Sequence, residues 1–530
     1  MVRLPDPNGA TSHGTRQLTN SKRGRVISVV ETSINALAKR LDAFLFELGS
    51  LHYRYGAGLS TELPVAQVFR EYPELTRPET FKQVREAVED RRTDARQKQR
   101  LHRLLEFLAG QIEDAIAAPS VEAVAALEAI SSVPIERDAM PFREAVGRLS
   151  REPMREQRGM VEQGLGEFLW ENQSVYARRR EAAAQTARVL GYPSYVALRD
   201  AVTGFSAQAL ADECEQVLRS TEDAYRDVLG FVLRKVEPAL KAGAARRHDL
   251  QRAATAPWLA DHFRREELLP AVSRCLTDMG LPPNAEGRIL VDTEERPGKT
   301  SRAFVADLRV PDDIRLVVRL GGGLDDYFAL LHEYGHAQQL AHISRAAPVE
   351  ERRLGDISVT EGYASLFDHL LLDEGWHRRY LRLPQPVARE AARIAAFNNL
   401  WLLRRYCAKL PYELSLYARG PERALAEEYQ ERLTRALFVG VHKGFFLYDV
   451  DPQLYATRYL RAWALEARLH AVLQERYNED YWRNPAAGSY LRDLFARGQR
   501  DDAAAIALEL TGKALSLAEA GQRLVKVMAV

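Results

Sequence analysis

His332-Glu333-Tyr334-Gly335-His336 spells H-E-x-x-H. On a helix, residues four apart share one face, so both imidazoles can reach a single ion. Zinc suits imidazole and takes tetrahedral coordination. The carboxylate of Glu333, beside the first histidine, can take a proton from a water polarised by that ion. Two histidines leave the ion short of ligands; catalysis needs a third protein ligand and one open position. Glu361 is the best candidate, 25 positions beyond His336 in Ser358-Val359-Thr360-Glu361-Gly362-Tyr363-Ala364-Ser365-Leu366-Phe367. That segment predicts a second helix, with Ser358 or Thr360 placed to cap it. A carboxylate on an apolar helix needs a partner, and a metal supplies one. Tyr327, Phe328, Leu330, Leu331 and Ala337 surround the histidines. These flanks describe a buried helix rather than a chance match on a solvated one. His342, His369, His377 and His442 are expected on solvated faces or at satisfied core positions.

The elements that must hold these residues are mostly helical. Val26–Leu51 carries apolar residues at three- and four-residue spacing, and Gly56 and Gly58 follow as a stop. Phe81–Ile116 predicts one long amphipathic helix. Further helical stretches are expected over 151–190, 207–236, 258–279, 387–417, 422–438 and 452–476. A last helix is expected from Ser516, with Glu519 completing a capping box. Arg288–Asp292, Arg302–Leu308 and Ile314–Leu320 break this rhythm as short β-branched or alternating runs, separated by Pro297-Gly298 and Pro311-Asp312-Asp313. A small sheet therefore precedes the H-E-x-x-H helix. Gly321-Gly322-Gly323 joins them and lacks the G-K-[ST] ending of a phosphate loop. The expected organisation is a flexible tail over 1–24, a helical region over 25–285 and a catalytic region over 286–530.

The chain has 530 residues, 46% hydrophobic and 28% charged, with net charge +1. That balance offers no general attraction for nucleic acid or membrane surfaces. No stretch approaches the ~20 apolar residues of a membrane span, and the polar first residues lack a signal-peptide core. Cys214, Cys275 and Cys407 are widely spaced, which reads as reduced thiols in a cytoplasmic protein. Oligomeric state is open.

Several segments together resemble the M3 zinc oligopeptidases, the thimet oligopeptidase and oligoendopeptidase F group. Asp326–Ala337 is similar to their zinc helix. Pro297-Gly298-Lys299-Thr300-Ser301-Arg302-Ala303-Phe304 is similar to the segment leading into their substrate-binding strand. Val359-Thr360-Glu361 with Ala364-Ser365-x-Phe367 resembles their third-ligand helix, and Leu190–Tyr195 a helix end they share. The similarity is firm over roughly residues 290–375.

The resemblance implies a mainly α fold, a gluzincin-type helical clamshell with a small sheet beside the zinc helix and a deep central channel. It implies one Zn2+ ion held by His332, His336 and Glu361, with Glu333 as general base. It implies hydrolysis of short oligopeptides, with an edge strand at Ala303-Phe304 pairing with the substrate backbone. Tyr459, then Tyr455, fit the tyrosines that contact the scissile carbonyl. Arg458 with Tyr459 also resembles an arginine-tyrosine pair of the M2 dipeptidyl carboxypeptidases, which suggests Arg458 as a holder of a substrate carboxylate. Three positions depart from the family. Gln339 stands where a further histidine is often found. Arg302 replaces a glycine and narrows or charges the channel wall. Asp449 falls where a histidine is expected. Two alternatives stay open: a dipeptidyl carboxypeptidase-like exopeptidase, and a non-catalytic peptide- or partner-binding protein on a peptidase scaffold.

Overall fold

The structure is a computed structural model, and it describes residues 36–136 and 138–529. The expected tail over 1–24 and the first part of the helix predicted from Val26 lie outside the described residues. The fold is mainly α. Among the described residues, no helix is long and apolar enough to cross a membrane. Buried side chains form one continuous cluster from Leu37 to Met528.

Two β units interrupt the helices. Strands β1 (Ser132–Ile135) and β2 (Asp138–Pro141) form an antiparallel hairpin that the periodicity did not predict. Each is only four residues and contains a proline, so neither carries a readable alternation. Strands β3 (Ile289–Asp292), β4 (Phe304–Arg309) and β5 (Asp313–Val317) form the expected small sheet, in the order β3-β5-β4. β5 runs parallel to β3 and antiparallel to β4, with Val305 opposite Leu316. β4 is therefore an edge strand. The loop before it is pinned to the end of the helix over 36–56: Thr300 N–H donates to Gly56 O at 2.9 Å, and Arg296 Nε to Ala57 O at 2.8 Å. Gly58, at φ +70°, allows this approach, since a Cβ there would lie 2.8 Å from Lys299 N.

Three helices carry the chemistry-bearing residues. The histidine helix (Leu324–Ala341) packs beneath the sheet. The Glu361 helix (Ile357–Asp368) lies against it and, on its other side, against the tyrosine helix (Ala456–Tyr477). Both contacts run through glycine. A Cβ on Gly335 would fall 2.6 Å from Ala364 Cα, and one on Gly362 3.0 Å from Leu465 Cδ2. Backbones thus approach where larger residues would hold them apart.

Several element boundaries differ from expectation for local reasons. The helix predicted over Phe81–Ile116 is two, Pro78–Glu89 and Ala95–Ile130. Asp90 turns the chain by accepting from Arg92 N–H at 2.9 Å, and Asp94 caps the second helix through Gln97 N–H. The stretch over 151–190 breaks at Asn172. The cap of the Glu361 helix is neither Ser358 nor Thr360 but Asp356, which accepts from Ser358 N–H at 3.0 Å. The last helix (Leu517–Met528) has Ser516 at its N-cap without a capping hydrogen bond, because Glu519 pairs with Arg468 at 2.7 Å instead.

Candidate metal centre

The histidine helix begins after Gly323, at φ +98°, with Asp325 and Asp326 in its first turn, where carboxylates suit the helix dipole. Leu324, Tyr327, Leu330, Leu331, Tyr334 and Ala337 are buried around it. His332 and His336 project from the remaining face, with ring centroids 4.8 Å apart and planes at 87°. Glu361 reaches both. Its Oε2 lies 3.4 Å from His332 Nε2 and 3.8 Å from His336 Nε2. The three donor atoms all fall within 4.8 Å of one another, so the three predicted ligands converge on one point.

Their far sides are anchored. His332 Nδ1 meets Asp368 Oδ2 at 2.7 Å, and His336 Nδ1 faces Thr360 Oγ1 at 3.3 Å. Both rings therefore turn Nε2 toward Glu361. Tyr455 donates its hydroxyl to Glu361 Oε1 at 2.9 Å, while Glu361 Oε2 is buried without a hydrogen-bond partner. Two imidazole nitrogens around an orphaned, buried carboxylate oxygen form a donor set that suits zinc. Asp368 completes a carboxylate–histidine pair that fixes tautomer and orientation. It lies seven positions beyond Glu361, two turns along the same face, and that spacing is a signal the sequence reading passed over.

The electrostatics follow the packing. Burial lowers His332, but Asp368 and Glu361 outweigh it and raise the ring to about 10. Burial and the His332 charge lower His336 to about 4. Burial alone would raise Glu361; His332, His336 and the Tyr455 hydroxyl hold it below the usual carboxylate range. Burial raises Glu333 to about 7, only partly opposed by His332, and the backbone N–H of Val305 on β4 lies near enough to stabilise its charge.

Tyr455, Tyr459 and Trp463 form an aromatic ladder on the tyrosine helix, with Tyr459 5.0 Å from Tyr455 and 5.9 Å from Trp463. Tyr406 packs on it from the helix Gln385–Arg419. Tyr455 is thus in contact with a predicted ligand. Tyr459 is half-buried beside it, within reach of the Glu361 and Glu333 charges. Ala303 immediately precedes β4 and Phe304 begins it.

Arg458 is corrected. It is 2% exposed and paired with Glu106 and with Asp356 Oδ1, the latter at 3.2 Å. A guanidinium locked between two carboxylates has no face left for a substrate. Asp449 does not reach the metal cluster either. It lies in a buried ion cluster with Arg247 at 3.0 Å, Arg405 at 3.2 Å and the Tyr429 hydroxyl. This position supports packing.

The architecture is mainly helical, with one small sheet set against the histidine helix. No protein-family model and no curated protein matches the chain. Among solved structures it is similar to PZ peptidase A with an inhibitor, at a TM-score of 0.66 and 13% identity, over 91% of this chain and 90% of that one.

Proposed function

We propose that this chain is a zinc-dependent metallopeptidase of the M3 type that hydrolyses internal bonds of short peptides. The observation that carries the reading is the convergence of His332, His336 and Glu361 within 4.8 Å, with Glu333 beside them and next to the edge strand. Zinc, when bound by these three residues, supplies a Lewis acid that polarises water and the scissile carbonyl.

The chain's own residues do the rest. The open edge of β4 pairs with an extended peptide through main-chain hydrogen bonds, which accept any side chain. Glu333 takes the proton of the attacking water and passes it to the leaving amine; a carboxyl near neutrality suits both transfers. Tyr459 donates to the oxyanion as it develops. Its hydroxyl has no hydrogen-bond partner among the described residues, which leaves it available. Tyr455 keeps Glu361 oriented. Asp368 holds the His332 ring so that Nε2 faces inward. The burial of Arg458 removes the group on which a dipeptidyl carboxypeptidase reading leaned.

The test is hydrolysis of a quenched peptide library with and without chelator, with cleavage positions read by mass spectrometry. Internal cleavage that chelation stops and zinc restores is the expected result. A zinc-loaded protein that binds peptides and cuts none would refute the enzyme and leave the scaffold alternative.

A further inference from the structure

Arg302 stands two residues ahead of β4, at the mouth of the proposed peptide-binding edge. Two neighbouring cations are spoken for. Arg296 is bound by Asp292, by Glu294 at 2.8 Å and by Ala57 O. Lys299 Nζ is held by Asp292 Oδ1 at 3.0 Å and by two backbone carbonyls at 2.8 Å. Arg302 is exposed, and only its backbone N–H is engaged, with Thr300 Oγ1 at 3.3 Å. Its guanidinium has no partner among the described residues.

Its position relative to the site follows from two relations. Along the chain it is three residues from Val305, whose N–H neighbours Glu333. At ~3.3 Å per extended residue, the two main-chain positions are at most ~10 Å apart. Across the site, its charge reaches Tyr459 and Tyr448 on the facing wall. The acids of that wall are already paired: Asp449 with Arg247 and Arg405, Asp451 with Lys409 at 2.5 Å, and Glu128 with the Tyr176 hydroxyl at 3.2 Å. An unpaired guanidinium beside a strand-binding edge, opposite acids that already have partners, is suited to an anion carried by the peptide.

We propose that Arg302 is a specificity-determining residue that binds a carboxylate of the peptide substrate about three residues from the scissile bond. The carboxylate is an acidic side chain, or the free C-terminus when the peptide ends there. The planar donor fork of arginine suits either. This rests on the peptidase reading and adds the substrate class.

The experiment compares peptide pairs that differ only by Glu against Gln, moved one position at a time from three before to three after the cleaved bond. A second set compares free C-termini with amides. The ratio of kcat/KM within each pair is measured for the wild type, Arg302→Gln, Arg302→Lys and Arg302→Glu. Dissociation constants for the same pairs are measured on Glu333→Gln, with and without Arg302→Glu, so that binding is read without turnover. A charge-assisted hydrogen bond predicts a preference of about tenfold for the carboxylate. It should persist in Arg302→Lys, approach unity in Arg302→Gln and invert in Arg302→Glu. A Glu preference at one position identifies a side chain; a preference confined to free C-termini identifies the chain end. Ratios that do not respond to Arg302→Glu, or an absence of peptide binding, overturn the proposal. If binding shows the preference while the zinc-loaded wild type cuts nothing, the peptidase reading fails with the register to a scissile bond, and carboxylate binding by Arg302 stands alone.

Discussion

Gly335→Ala is the sharpest perturbation of the metal centre, because it adds one methyl group and touches no ligand. The added Cβ would sit 2.6 Å from Ala364 Cα and 3.1 Å from both Ala364 O and Phe367 Cδ2. Ordinary carbon–carbon contact is ~3.5–4.0 Å, so the two helices must part by roughly 1 Å at this crossing. Two of the three contacts are to backbone, which cannot rotate away. Glu361 stands less than one turn from Ala364 and moves with it. Metal–ligand distances are acceptable only within about 0.2 Å, so a shift of this size exceeds what the ligand set absorbs. Zinc affinity should fall by at least the ~10–100-fold seen when the support of a ligand is lost. Overpacking should also cost about 1–3 kcal/mol of stability, outweighing the helix propensity gained from alanine. The assays are zinc titration against a competing chromophoric chelator and denaturant unfolding of the metal-free protein. Wild-type zinc affinity together with wild-type stability would refute the argument that backbone contact at Gly335 sets the position of Glu361.

Glu333→Gln should retain zinc and lose hydrolysis; measurable turnover would remove Glu333 from the proton-transfer role. Tyr455→Phe and Tyr459→Phe should separate two roles. The first deletes the 2.9 Å bond to Glu361 and should weaken zinc binding by about tenfold, whereas the second should keep zinc and lower kcat by ~10²–10³. Identical profiles for both variants would contradict the assignment. Arg458→Met leaves the half-buried Glu106 without its closest cation, while Asp356 keeps Arg461 at 3.0 Å, and should cost about 1–3 kcal/mol in denaturant unfolding, with no change in preference for a free peptide C-terminus. A changed C-terminal preference at unchanged stability would return Arg458 to substrate binding. Burial by itself raises Glu466, but Arg523 and His369 outweigh it and hold the carboxyl at about 2. Its stabilising contribution is therefore present above the ordinary carboxylate value and is lost as pH falls toward 2. The stability gap between wild type and Glu466→Gln should shrink from about pH 5 downward, and a gap that widens on acidification would reverse this sign.

What could be read from sequence followed how local its causes were. The convergence of His332, His336 and Glu361 was legible because helical spacing aligns His332 with His336, and because Glu361 interrupts an otherwise apolar helix. The sheet was legible because three β-branched runs lay between turn residues. Arg458 was not, because its environment is set by Glu106, 352 positions away, and an arginine between tyrosines has the same local pattern facing a channel or a core. Asp449 was equally opaque, since Arg247 lies 202 positions away in sequence. The cap at Asp356 was missed for a related reason. This carboxylate also binds Arg458 and Arg461 of the tyrosine helix, so its placement reflects two elements at once.

Gly335 and Gly362 leave the segment bearing the third ligand no slack on either face. A part gripped from both sides by main chain cannot slide past one neighbour without dragging the other. The three helices must therefore travel as a single rigid insert whenever the molecule breathes. On the proposed function, the motion that admits or releases a peptide is then displaced to the opposite lip, formed by β4 and its preceding loop. Substrate range can then be retuned by altering that lip, at positions such as Arg302, without disturbing the spacing on which the metal depends.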